Sequence, residues 1–122
     1  MDVKKSRDAA LAVLVFLLMT IVVSGCSHRK PRGCRNGTVE MSVSAYAVSG
    51  ETASGKHTMP GVCACGPSYP FGTIFVVPKL GVFVCQDHGS KVGDGNLDIW
   101  VPSEKIAEKW GRKTLKVRVI CP

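Results

Sequence analysis

The chain has 122 residues, 45% of them hydrophobic, with 16 Lys and Arg against 9 Asp and Glu and six cysteines. That length and composition exclude more than one folded domain, and leave a small one once the opening segment is subtracted. The net charge of +7 favours polyanionic partners, but the basic residues are dispersed and few aromatics interleave with them, so no nucleic-acid platform is expected.

Residues 1–8 carry Lys4, Lys5 and Arg7, and residues 9–23 (AALAVLVFLLMTIVV) contain no charge. Fifteen helical residues reach about 22 Å, short of the roughly 30 Å hydrocarbon layer, so residues 1–26 read as a secretory signal rather than a stable span. The small residues Ser24 and Gly25 before Cys26 resemble the lipobox of bacterial lipoproteins, with Val23 where Leu is usual. The resemblance implies lipidation at Cys26 and a membrane-anchored protein facing the periplasm or cell wall. An uncleaved anchor and cleavage without lipid are the alternatives, and all three place the later residues outside the cytoplasm.

Residues 27–38 (SHRKPRGCRNGT) have no apolar periodicity and read as a basic tether that hugs anionic headgroups. From Cys26 onward 13 basic residues face 7 acidic ones, which makes anionic lipid and anionic cell-wall polymers the expected partners. Cys34, Cys63, Cys65, Cys85 and Cys121 favour disulfides in an oxidising compartment, one of them staying free if Cys26 is lipidated. Connectivity is open at this point. Cys63-Ala-Cys65 lacks the two-residue spacer of a zinc pair, so no metal site is expected, and no cofactor either.

Residues 39–122 form the predicted domain. Met41, Val43, Ala45 and Ala47 share one face of a first strand, TIFVV at 73–77 is β-branched, and Val82 and Val84 alternate with Phe83 and Cys85. Leu97, Ile99 and Val101 should point one way in NLDIWV, with Asp98 and Trp100 pointing the other. Ser103 is a helix cap, Gly111 a helix end, and Ile106, Ala107 and Trp110 the predicted buried face between them. Leu115, Val117 and Val119 line a last strand. Short strands punctuated by Gly and Pro indicate a small β-barrel or sandwich with one short helix near the C-terminus.

Three aspartates stand close together: Asp87 ends a strand, Asp94 sits between two glycines where a turn explains it, and Asp98 lies in a strand beside Trp100. Partial burial of Asp98 would raise its pKa and suit it to donate a proton. His88 is placed either to pair with Asp87 or simply to be solvated.

Residues 41–120 resemble the 3D domain, a family named for three aspartates and similar to the catalytic core of membrane-bound lytic transglycosylase A. The likeness rests on Val43-Ser44-Ala45-Tyr46, Thr52-Ala53-Ser54-Gly55, Gly61 through Pro67, Tyr69-Pro70-Phe71-Gly72-Thr73, Gln86-Asp87-His88-Gly89 and Leu97-Asp98-Ile99-Trp100. One position departs: Gly66 stands where the family carries its first aspartate. The resemblance implies a six-stranded double-psi β-barrel and cleavage of the bond between N-acetylmuramic acid and N-acetylglucosamine in peptidoglycan, with Asp98 as general acid and base and Asp87 supporting it. Thr52, Ser54, Gly55, His88, Gly89 and Trp100 are then the expected substrate-binding residues. A non-catalytic peptidoglycan-binding module on an expansin-like barrel is the alternative, as is an interaction protein of the envelope stabilised by disulfides.

Overall fold

The computed structural model describes residues 33–122. The signal at 1–26, the lipidation of Cys26 and the tether up to residue 32 lie outside the described residues.

Six strands and one helix follow in the order β1 (Gly37–Tyr46), β2 (Val62–Cys65), β3 (Ile74–Val77), β4 (Gly81–Asp87), β5 (Asn96–Trp100), α1 (Glu104–Trp110) and β6 (Arg112–Ile120). They close into a barrel in the order β1-β5-β2-β4-β3-β6. Two neighbouring pairs are parallel, β1 with β5 and β2 with β4, and the other four are antiparallel. This is the mostly β, six-stranded double-psi barrel with one short C-terminal helix that the strand pattern and the resemblance imply. Closure leaves no unpaired edge, which matters for strands as short as four residues.

Alternation along each strand sets the core. Met41 and Val43 from β1, Phe75 and Val77 from β3, Phe83 and Cys85 from β4, Leu97 and Ile99 from β5, and Val117 and Val119 from β6 all face inward and are buried. The strand face drawn through Ala47 ends one residue early, because β1 stops at Tyr46.

At its other end β1 begins at Gly37, two residues before the expected domain start, and the segment before it is tied down. Cys34 bonds Cys121, and Asn36 Oδ1 accepts the Cys121 N–H at 2.7 Å. A second disulfide joins Cys65 on β2 to Cys85 on β4 inside the barrel. The bridges enclose separations of 87 and 20 residues, and loop-closure entropy assigns them about 4.5 and 3 kcal/mol. Both matter in a barrel whose core is this small. Among the described residues Cys63 is the free thiol.

Ser103 caps α1 by accepting the Ile106 N–H, and Gly111, at φ 66°, ends it in a conformation that favours glycine. Only one flank of the predicted apolar face packs. Ala107 is buried and Trp110 donates its indole N–H to Val43 O at 3.3 Å, whereas Ile106 is 46% exposed. Seven residues make barely two turns, so a helix lying along β1 has too little face to bury all three.

Candidate functional site

The strand pairing lines up one polar row across five strands. Arg112 on β6 pairs with Ser44 on β1, Ser44 with Asp98 on β5, Asp98 with Ala64 on β2, and Ala64 with Asp87 at the end of β4. Paired residues share a face, so these side chains point away from the core that Val43, Leu97 and Cys65 fill. The β2–β4 register shifts between Cys63 and Ala64, an irregularity of the kind that re-aims a side chain at a strand end. With neighbouring strands ~4.8 Å apart, the backbones at Asp87 and Asp98 stand roughly 10 Å apart.

Asp98 sits half-buried in the middle of this row. Burial pushes its carboxyl above the usual 3.8, while the Ser44 hydroxyl, which donates to Oδ1 at 3.1 Å, and the Arg112 charge pull it the other way. The net displacement is upward, the direction a proton donor needs. Asp87, across Ala64, accepts the Ala53 N–H on Oδ1 at 3.1 Å. Burial, and not a like charge from Asp87, is what lifts Asp98.

Tyr46 closes β1 beside these groups, and its position was not singled out by the sequence pattern. Its hydroxyl is buried and has no hydrogen-bond partner among the described residues. Burial raises its pKa to about 12, with Asp87, Asp98 and Cys63 adding in the same direction, so it is a neutral donor at any physiological pH. Ser44 and Arg112 also escape a reading by pattern, because they join the site only through the pairing of β1 with β5 and β6. Cys63 lies on the core side of β2, and burial followed by the charge of Asp98 pushes its thiol upward. A thiol held protonated is a poor nucleophile toward the neighbouring Cys65–Cys85 bridge.

The loop at 52–55 is built from its own side chains. Thr52, 5% exposed, donates its hydroxyl to Lys56 O at 2.7 Å, and Ser54 donates to Gln86 Oε1 at 2.8 Å. Ser54 N–H also donates to Gln86 O, and Gly55 turns the chain at φ 85°. The loop is therefore fastened along the end of β4, which delivers the Ala53 amide to Asp87.

His88 turns away from Asp87. Its Nε2–H donates to Tyr69 O at 2.8 Å, and its ring stacks on Phe71 at 4.4 Å between centroids. A Cβ on Gly89 would meet Val92 Cγ2 at 2.8 Å, so this position is closely packed. Trp100 shares the outward face with Asp98 as expected, and its indole N–H donates to Val48 O at 3.1 Å. Cys65, Cys85 and His88 converge closely enough to suggest a metal cluster, but the two sulfurs are bonded to each other and offer no thiolate.

Asp94 lies outside the row. Its carboxylate accepts the Ser68 N–H at 3.0 Å and the Ser68 hydroxyl at 2.6 Å, beside a cavity of 410 Å³ lined by Arg35, Val39 and Tyr69 among others.

A double-psi barrel with two aspartates flanking one strand matches the expected class, and the family comparison agrees. Residues 62–121, just under half of the chain, match the family model of the 3D domain. The chain is also similar to two larger proteins of Bacillus subtilis (strain 168). One is the cell wall-binding protein YocH, 32% identical over 93 residues that cover 66% of this chain and 32% of the relative. The other is the putative cell wall shaping protein YabE, 30% identical over 84 residues that cover 65% of this chain and 21% of the relative. The chain thus spans about a third and about a fifth of the length of these relatives.

Proposed function

We propose that this barrel acts on peptidoglycan outside the cytoplasm, as a cleaving enzyme of the lytic transglycosylase type. The observation that carries the reading is Asp98: a half-buried carboxyl raised above its usual range, on an outward strand face, hydrogen-bonded by Ser44. The 3D-domain match at residues 62–121, the wall-related names of the two relatives and the two disulfides support the setting.

In the proposed reaction protonated Asp98 gives its proton to the oxygen that bridges N-acetylmuramic acid to N-acetylglucosamine, and the bond from that oxygen to the muramic C1 breaks. The Asp98 carboxylate then removes the proton of the same sugar's C6 hydroxyl, whose oxygen closes on C1 to form the anhydro ring. One carboxyl group serves both steps, and no water is consumed. Ser44 holds Asp98 in place, and Asp87 orients the sugar beside the 52–55 loop and the 88–89 turn. Trp100 offers an indole face beside Asp98, on the same outward face of β5.

The second reading is a wall-binding module without catalysis. It is favoured by Gly66, which stands where the resemblance places a carboxylate, and by the similarity to the cell wall-binding protein YocH. Incubating the protein with purified peptidoglycan and analysing products by mass spectrometry separates the two. Anhydromuramic products from wild type that vanish in Asp98→Asn support the enzyme. Their absence from wild type, with the protein still pelleting on the polymer, sinks it and leaves the binding module.

A further inference from the structure

Gly66 is not explained by backbone conformation, since its φ lies outside the left-handed region that favours glycine. It is explained by space. A Cβ at this position would stand 2.5 Å from Asp94 Cα, 2.5 Å from Asp94 N and 2.5 Å from Asp94 Oδ1. Two of those three atoms are backbone, so residue 66 can carry a side chain only if the loop around Asp94 withdraws. The place beside β2 where a side chain at position 66 would begin is filled by Asp94, carboxylate included.

The hydrogen bonds describe what that carboxylate does there. An aspartate at position 66 would be placed to accept the N–H two residues on, at Ser68, in the usual Asx turn. Asp94 accepts that same N–H at 3.0 Å from across the barrel end, and the Ser68 hydroxyl at 2.6 Å. The turn it caps is closed by Tyr69 N–H donating to Gly66 O at 3.1 Å. Tyr69 O in turn accepts His88 Nε2–H at 2.8 Å, and His88 directly follows Asp87. Two residues after Asp94, Asn96 opens the strand that carries Asp98. One side chain thus links the segments bearing both carboxylates of the polar row.

We infer that Asp94, in the β4–β5 loop, is a third carboxylate serving this site as a positioning residue for the 66–69 turn and, through Tyr69 and His88, for Asp87. The inference rests on the proposed action on peptidoglycan for its functional readout and on the Gly66–Asp94 interlock for its structural one.

The experiment uses the full chain with Asp94→Gly, Asp94→Asn and the reciprocal exchange that combines Gly66→Asp with Asp94→Gly, each assayed for anhydromuramic release and for pelleting on purified peptidoglycan. Asp94→Gly should lower turnover by about tenfold or more, toward the roughly hundredfold that a misplacement of about 1 Å can cost. Asp94→Asn should retain most of it, because the amide oxygen still accepts the Ser68 N–H. The reciprocal exchange should recover most of it, since three successive glycines let the loop yield and the carboxylate introduced at position 66 caps Ser68 locally. Full turnover in Asp94→Gly overturns the inference, as does a reciprocal exchange no better than Asp94→Gly while both melt cooperatively. If wild type releases no anhydromuramic product, the enzymatic reading has failed separately, and the interlock is judged by melting. Gly66→Ala should then lower Tm less in the Asp94→Gly background than in wild type, and equal losses overturn it.

Discussion

The inner and outer faces of β2 and β5 belong to the same nine residues of strand and do opposite things. Inward, Cys63, Cys65, Leu97 and Ile99 are buried among apolar neighbours, and their contribution is packing. Outward, Asp98 is half-buried and carries a displaced proton affinity, with Ser44 and Arg112 as its partners. A carboxylate so placed keeps its geometry because the residues on either side of it, Leu97 and Ile99, are locked into the core. The pleat converts apolar packing on one face into preorganisation on the other.

The largest effect should come from the inner face. Leu97→Ala removes a fully buried side chain, and large-to-small changes of this kind cost about 2–5 kcal/mol. Chemical denaturation should show a lowered midpoint with an unchanged slope, and a neutral result would mean that the barrel interior repacks freely.

A smaller effect, opposite in sign, is expected one residue along. The folded pKa of Asp98 lies above its ordinary 3.8, so its favourable contribution is complete below pH 3.8 and is lost as pH rises through the folded value. Asp98→Asn has no such loss. Its Tm relative to wild type should therefore climb from about pH 3.8 upward and level off once wild-type Asp98 is ionised. A Tm difference that stays flat across that range would contradict burial as the cause of the shift.

The smallest effect should follow Arg112→Gln. The guanidinium lowers the Asp98 pKa and also donates to Ser42 Oγ at 3.2 Å, from a solvent-exposed strand position where charge interactions are modest. Its removal should move the Asp98 carboxyl titration, followed by carbon NMR, to higher pH with little change in Tm. A shift to lower pH would show that Arg112 does not act on Asp98 through its charge.

Much of the barrel was legible residue by residue. Strict alternation marked Met41 and Val43, Leu97 and Ile99, Val117 and Val119 as inward, and Ser103 and Gly111 bounded the helix. The candidate acid was legible too, because a charged residue between two buried aliphatics in a strand must face outward. Ile106 misled, since a 3.6-residue period says which residues share a flank but not how much of it a neighbour covers. The bond by which the Thr52 hydroxyl closes its own loop on Lys56 is a property of the folded loop that the sequence does not spell out. Asp94 read as a plain turn residue, and nothing local to it reveals Gly66, 28 positions earlier.

Local pattern by itself determined five of the six strands, the inward faces of β1, β5 and β6, the helix cap and the outward placement of Asp98, because these follow from alternation and from the needs of single residues, whereas β2 is buried on both faces and shows no alternation. Tertiary structure alone decided which cysteines pair, that Ser44, Arg112 and Tyr46 join the two carboxylates, and that the space beside Gly66 belongs to Asp94. Those depend on which strands become neighbours and in what register. Register is a property of the closed barrel, settled by burying every inward face at once, and no single stretch of chain contains it.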